Sequence, residues 1–263
     1  MKYTNKLSRK IKWFLKSIGC PRYLHHFGPK KYETSEHVLA LMLKEVCRMS
    51  FRRLANFFEM LEIKSPTFSA LCKSRKRIPK WIWNKLLKLT AGLSTGIVAI
   101  DATGFSRTNP SFHYIKRINR RETVKSYSKL SAIFDIIRRK FLALKVRMKP
   151  RHDVKDAEPL IKKTKPKKLF ADAGYDSEKI HEFCYWNKIQ TFIKPRKNVR
   201  FRKFRKLQME NYSEKEYHQR SLIESGFGSL KRKYGGAVSG KRAWSVGAEI
   251  NCKAICHNLM LCN

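Results

Sequence analysis

Within Glu36 to Arg48, apolar residues stand at 38, 39, 41, 42, 43 and 46, which approximates the stripe of an amphipathic helix. Ser50 is then placed to cap a second run from Phe51 to Leu61. Ser65-Pro66 offers a third start, with serine at the cap and proline at the first helical position; that segment closes on Lys73, Arg75, Lys76 and Arg77 before Pro79. Together these segments predict an all-α, helix-turn-helix-like amino-terminal part. The texture changes near residue 95. Ile97 to Ile100 is the unbroken apolar run of a buried strand, and Phe112 to Ile118, Lys129 to Ile137 and Phe141 to Met148 predict further strands. Asp153 to Lys163 and Asp176 to Lys188 read as helices, with strands at Lys168 to Ala171 and Thr191 to Lys194. The order approximates βββαβαβα, an α/β sheet flanked by helices. The chain accordingly divides into a helical region, 1–92, and an α/β region, 93–263.

Charge narrows the class of partner. The 263 residues carry 59 Lys plus Arg against 20 Asp plus Glu, a formal net charge of +39. Such a bias favours a polyanion and exceeds what a small acidic substrate needs. The excess is shared by both halves and is densest in Lys194 to Lys206, which holds basic residues, no acid, and Phe201 and Phe204 between them. With 42% apolar residues the chain has enough burial potential to fold. Seven scattered cysteines do not form a secreted disulfide framework, and no apolar run reaches the roughly 18 residues of a membrane-spanning helix. The expectation is a soluble cytoplasmic protein, associated with the nucleoid and not with a membrane. On this reading the helix near Pro66 enters a major groove of double-stranded DNA while Lys73, Arg75, Lys76 and Arg77 hold phosphates.

Two acids stand out because of what precedes them. Ile97-Val98-Ala99-Ile100 delivers Asp101, and Leu169-Phe170-Ala171 delivers Asp172, each after an apparently buried strand. Two desolvated carboxylates at neighbouring strand ends repel unless protons or cations intervene, and oxygen ligands suit Mg²⁺ or Mn²⁺. Taken singly, each Asp is equally a turn former or a cap. A third acid lies in Tyr217-His218-Gln219-Arg220-Ser221-Leu222-Ile223-Glu224. Helical geometry places Tyr217, Arg220, Glu224 and Lys231 within roughly 60° of one face. The competing reading is an exposed helix with an Arg220–Glu224 ion pair.

The order Asp101, Asp172, Glu224, with Tyr217, Arg220, Glu224 and Lys231 spaced as Y-(2)-R-(3)-E-(6)-K, resembles the DDE transposases of prokaryotic insertion sequences. The contexts Ala99 to Phe105 and Ala171 to Ser177 are similar to that family's first and second acid motifs. The resemblance implies a ribonuclease-H-like mixed sheet flanked by helices, in which Asp101, Asp172 and Glu224 are catalytic and bind two Mg²⁺ (or Mn²⁺) ions. It also implies that Tyr217, Arg220 and Lys231 contact DNA, and that cleavage at the element's ends precedes strand transfer by a homodimer in the synaptic complex. This chain departs from larger relatives in the short stretch between its last strand and the Glu224 helix. A large β insertion has no room there, and a hairpin strategy is not carried over. Arg200, Arg202 and Lys203 in that stretch are expected to contact DNA, with Phe201 and Phe204 packing locally.

Other polar residues receive plainer assignments: Asp153 and Asp176 as helix caps, Asp135 as structural, and Cys252, Cys256, His257 and Cys262 as part of a buried terminal helix and not a zinc site. Gly226 and Gly228 weaken the Glu224 helix but admit close approach by DNA or another helix. Two further functions stay open on sequence alone: a catalytically silent, domesticated DNA-binding protein, and an RNA-binding basic protein, which leaves the acid triad unexplained.

Overall fold

The computed structural model describes residues 2–25, 27, 30–107, 127–149, 151–196 and 202–260. The strand expected at Phe112 to Ile118 lies outside them, as do Arg200, Phe201 and Cys262. Five helices open the chain: α1 (Lys2–Ser17), α2 (Thr34–Val46), α3 (Phe51–Met60), α4 (Phe68–Arg77) and α5 (Lys80–Ala91). Ser50 caps α3 as expected, its side chain accepting from the Arg53 amide. The cap of α4 is Thr67, which accepts from Ala70, so Ser65-Pro66 precedes the helix instead of starting it.

A mixed sheet follows, built from β1 (Ile97–Arg107), β2 (Tyr127–Asp135), β3 (Lys140–Arg147), β4 (Lys168–Ala171) and β5 (Gln190–Ile193). Its spatial order is β3-β2-β1-β4-β5, with β1, β2 and β3 antiparallel and β1, β4 and β5 parallel. The parallel crossovers run through α6 (Val154–Thr164) and α7 (Glu178–Trp186). Beyond β5 come α8 (Lys203–Met209), α9 (Glu214–Tyr217), α10 (Ser221–Tyr234), the two-residue β6 (Ala237–Val238), paired with the far end of β1, and α11 (Ala243–Met260).

Alternation along the strands sorts side chains to two faces. Val98 and Ile100 join Leu160, Leu169 and Ile180 in the core beneath α6 and α7. Ala99, Phe105, Phe134 and Phe170 face the other way, into a core shared with α10, α11 and the amino-terminal helices. That second core runs unbroken from Ile11 through Val38 and Trp83 to Leu259, across the change of texture near residue 93. α11 is its axle: Ile250, Ala254 and Ile255 are buried, and so are Cys252, Cys256 and His257, which the sequence had placed in a terminal helix. Asn258 on α11 also closes the outer edge of β3, accepting from the Phe141 amide and donating to its carbonyl, both at 2.9 Å.

Asp135 is fully buried and structural, its carboxylate held by Thr95 and the Arg138 amide. Neither expected cap behaves as one. Asp153 makes no capping hydrogen bond to α6 and pairs instead with Lys129. Asp176 lies before Ser177, the cap position of α7, and is buried in a network. It accepts from Arg205 Nε at 2.8 Å and the Arg196 amide at 2.9 Å, and lies 3.1 Å from His181 Nε2. The network's position explains the difference: Arg196 donates to the carbonyls of Ala173 and Gly174, so Asp176 ties the loop after β4 to the basic stretch after β5.

Candidate active site

Asp101 does not end its strand. β1 continues six residues past it, to Arg107, because β2 pairs with it without a break as far as Ser106, and β6 joins Ser106 and Arg107 on the side where pairing with β4 stops at Ile100. The acid therefore sits mid-strand, where β4 has finished and one flank of β1 is open. Asp172 follows β4 directly, and the register Ile100 to Ala171 makes Asp101 and Asp172 lateral neighbours. Adjacent strands lie about 4.8 Å apart, so the two carboxylates leave the sheet side by side. Both point to the face that packs α10, since Ala99 and Phe170, two residues before each, belong to that core.

The segment bearing the third acid is not one continuous helix. α9 ends at Tyr217, a 3₁₀ turn spans His218–Arg220, and α10 begins at Ser221. The single face computed from a uniform helix is thus broken at Arg220, yet the side chains still converge. Arg220 Nη2 donates to Glu224 Oε1 at 2.7 Å, and Nη1 lies 3.6 Å from Asp101 Oδ2. One guanidinium therefore spans an acid of the sheet and an acid of the helix. Tyr217 adjoins it: burial raises its hydroxyl's pKa, Arg220 opposes that, and the Asp172 and Glu224 charges add to it. Burial likewise raises Asp101; the Ala102 amide and Arg220 oppose the shift, and Glu224 and Asp172 reinforce it. Asp101 is thus near enough to both other acids to feel their charge.

The donor set consists of carboxylate oxygens, the chemistry that hard divalent cations require. Asp101 and Asp172 are placed for it, whereas Glu224 is engaged by Arg220, and among the described residues no three acids, histidines or cysteines are gathered tightly enough to enclose a metal ion. Oxygen chemistry fits; closure requires Arg220 to release Glu224, whose side chain is 55% exposed and free to turn.

Lys231 lies one turn before the end of α10 and donates to Thr103 Oγ1 at 2.6 Å, its ammonium 5.5 Å from the centre of the Phe105 ring. Thr103 went unnoticed in the sequence, although the period of two from Asp101 puts it on the same face. Of the expected phosphate contacts on α4, Lys73, Lys76 and Arg77 are exposed. Arg75 turns inward, stacks 4.6 Å from the Phe51 ring and pairs with Glu249, which removes it from the outer basic surface. Arg202 and Lys203 are exposed at the start of α8. Phe204 packs locally, against the Tyr185 and Trp186 rings.

Residues 92–259 match the transposase DDE domain family, well over half the chain and all three acids included. The chain belongs to that family. No curated protein matches this transposase. Among solved structures it is similar to a Mos1 transposase paired-end complex with left transposon end, at 11% identity over 80% of this chain and 81% of that one, with a TM-score of 0.26. The Mos1 strand transfer complex gives 11% identity, 80% of each chain and a TM-score of 0.26. A pre-cleavage Mos1 transpososome gives 14%, 89% and 78%, and 0.24. At these TM-scores the likeness carries no weight for the fold. Among the described residues, no helix of this transposase is long and apolar enough to cross a membrane.

Proposed function

We propose that this DDE transposase binds the ends of a prokaryotic insertion sequence and catalyses metal-dependent DNA cleavage and strand transfer, with Asp101, Asp172 and Glu224 as its catalytic acids. The observation that carries the reading is the position of Asp101 and Asp172, each one residue beyond the last pair, Ile100 and Ala171, of two adjacent parallel strands, beside a helix whose Glu224 shares Arg220 with Asp101. The strand order, three antiparallel strands followed by two parallel ones with helical crossovers, is that expected of a ribonuclease-H-like core.

The three acids would hold two Mg²⁺ or Mn²⁺ ions, which supply an activated water and stabilise the leaving oxygen. The chain's own residues do the rest. Asp101 and Asp172, fixed by the sheet, define where a scissile phosphate sits. Arg220 compensates Asp101 and Glu224 in the absence of DNA, and its planar fork matches a phosphate equally well, so an incoming strand competes for it and releases Glu224. Tyr217 presents a hydroxyl beside the same phosphate, and Lys231, held by Thr103, contacts the strand farther along β1. The exposed Lys73, Lys76 and Arg77 of the helix-turn-helix-like region 1–92, together with Arg200, Arg202 and Lys203, supply backbone contacts to duplex DNA. The 20 residues between β5 and α9 hold only α8 among those described, so the second strand is processed without the large β insertion of bigger relatives. Synapsis of two ends calls for a homodimer in the complex.

The test is an end-cleavage and strand-transfer assay on the element's terminal DNA in Mg²⁺. Ala at Asp101, Asp172 or Glu224 abolishes cutting and leaves duplex binding intact; cutting that survives any of the three substitutions refutes the assignment.

A further inference from the structure

Between the amino-terminal helices and the far end of the sheet lies a cavity of about 610 Å³. Lys44, Arg48, Arg52, Arg75 and Lys253 line it against two acids, Glu45 and Glu249, which leaves an excess of three positive charges. Most of these groups are occupied. Glu249 accepts from the Ser239 amide and hydroxyl and from the Gly240 amide, all near 3 Å. Glu45 pairs with Lys44 at 2.7 Å; Lys253 donates to the Gly235 and Ala237 carbonyls, and Arg48 to those of Arg232 and Lys233.

Arg75 differs. Its side chain is only 14% exposed and 3.6 Å from Glu249, and its Nε and Nη1 are buried without a hydrogen-bond partner. Buried guanidinium donors without acceptors are costly; Glu249, the nearest anion, is taken up by Ser239 and Gly240 and stands beyond hydrogen-bond reach of Nη1, so an acceptor oxygen is what the two donors lack. The exposed Arg52, on the same wall, lies over the Phe68 ring, and Ser50, Phe51 and Arg52 at the positive end of the ten-residue α3 all line the cavity. The opposite wall, Gly235 to Ser239, directly follows α10, so the cavity continues the line that Asp101, Thr103 and Lys231 draw along β1.

We propose that this cavity binds a phosphate group, with Arg75 and Arg52 as its ligands and the backbone of a DNA strand running from α3 toward the acid cluster as its source. The choice of DNA rests on the transposase reading; the phosphate chemistry does not.

The test uses the full chain in two arms. In the first, fluorescence anisotropy follows binding of a labelled duplex over a range of potassium chloride concentrations, for the natural protein, Arg52→Gln, Arg75→Gln and Glu182→Gln. Loss of one phosphate contact lowers the slope of log affinity against log salt by about one and weakens binding by about tenfold at fixed salt, whereas Glu182→Gln, exposed on α7, keeps the slope. In the second, the ³¹P line of inorganic phosphate is broadened by the natural protein and sharpened again by both Arg variants. A change in the first arm supports DNA as the source, and a change confined to the second supports a free phosphate ion. If neither readout moves in variants with an intact thermal transition, the proposal falls. Arg52, being exposed, decides the matter alone should Arg75→Gln fail to fold. Neither arm uses cutting, so a natural protein that fails to cleave would sink the transposase reading without touching this one.

Discussion

Two glycines about 3 Å of rise apart on one helix make opposite predictions. A Cβ at Gly226 would lie 2.8 Å from both Cε2 and Cζ of Phe134, and a Cβ at Gly228 would meet nothing within 4 Å. Phe134 has nowhere to go: it is 1% exposed and wedged against the Phe141 and His257 rings, with centroids 5.0 and 6.5 Å away. Both glycines lie inside α10, so replacement by Ala brings a helix-propensity gain of about 1 kcal/mol in each case. At Gly228 that gain stands alone. At Gly226 overpacking costs about 1–3 kcal/mol, which cancels or exceeds it. Gly228→Ala is therefore expected to raise the urea midpoint and to raise Tm by about 2–4 °C, and Gly226→Ala to leave both unchanged or lower them. Equal stabilisation by both substitutions would refute the argument that α10 needs a missing side chain to reach the sheet. The consequence extends to the site, because a helix pushed off Phe134 carries Glu224 and Lys231 with it. Gly226→Ala should accordingly cut DNA more slowly than Gly228→Ala at a temperature where both are folded.

Hydrogen bonds reach Asp176 from His181, the Arg196 amide and Arg205, and although burial works in the other direction they hold its pKa down at about 2. A carboxylate with a depressed folded pKa stabilises above its ordinary value and loses that contribution as pH falls through the folded one. Asp176→Asn should therefore flatten the acid limb of stability between about pH 4 and about pH 2, as followed by circular dichroism; an unchanged limb would remove Asp176 from the network. Phe204→Ala, which strips the ring packed on Tyr185 and Trp186, should cost about 1–2 kcal/mol in urea unfolding and leave duplex affinity unchanged. A loss of affinity without a loss of stability would instead make Phe204 a base-stacking residue.

The strands and the acids were legible because their signal is local. Ile97 to Ile100 and Leu169 to Ala171 are short apolar runs ending in charge, and no helix accommodates that pattern as cheaply. What escaped depends on partners distant in sequence. β1 outruns its apolar stretch because β2 pairs with it as far as Ser106 and β6, about 130 residues on, joins its last two residues, and α5 was hidden in a segment whose apolar residues face α11 and β3. Arg75 read as one of four equivalent cations; only Phe51 and Glu249, the latter 174 positions later, turn it inward. Asp176 read as a cap because Asp before a helix usually is one, and of the groups that claim it only His181 is near in sequence, while the Arg196 amide and Arg205 lie beyond β5.

The site is therefore rigid on one side and adjustable on the other. Asp101 rides on the hydrogen-bonded centre of the sheet and Asp172 follows β4 at once, capping a 3₁₀ turn, so the backbone pairing that ends at Ile100 and Ala171 sets their separation more than small changes in side chains do. Glu224 rides on a helix preceded by a 3₁₀ turn, exposed, and tethered through Arg220, which also reaches Asp101. Any anion that draws Arg220 away leaves Asp101 and Glu224 uncompensated next to Asp172, three carboxylates whose mutual repulsion raises their affinity for a divalent cation. DNA and metal would then bind cooperatively, each making room for the other, and the acids would close around a cation only where a phosphate is already present.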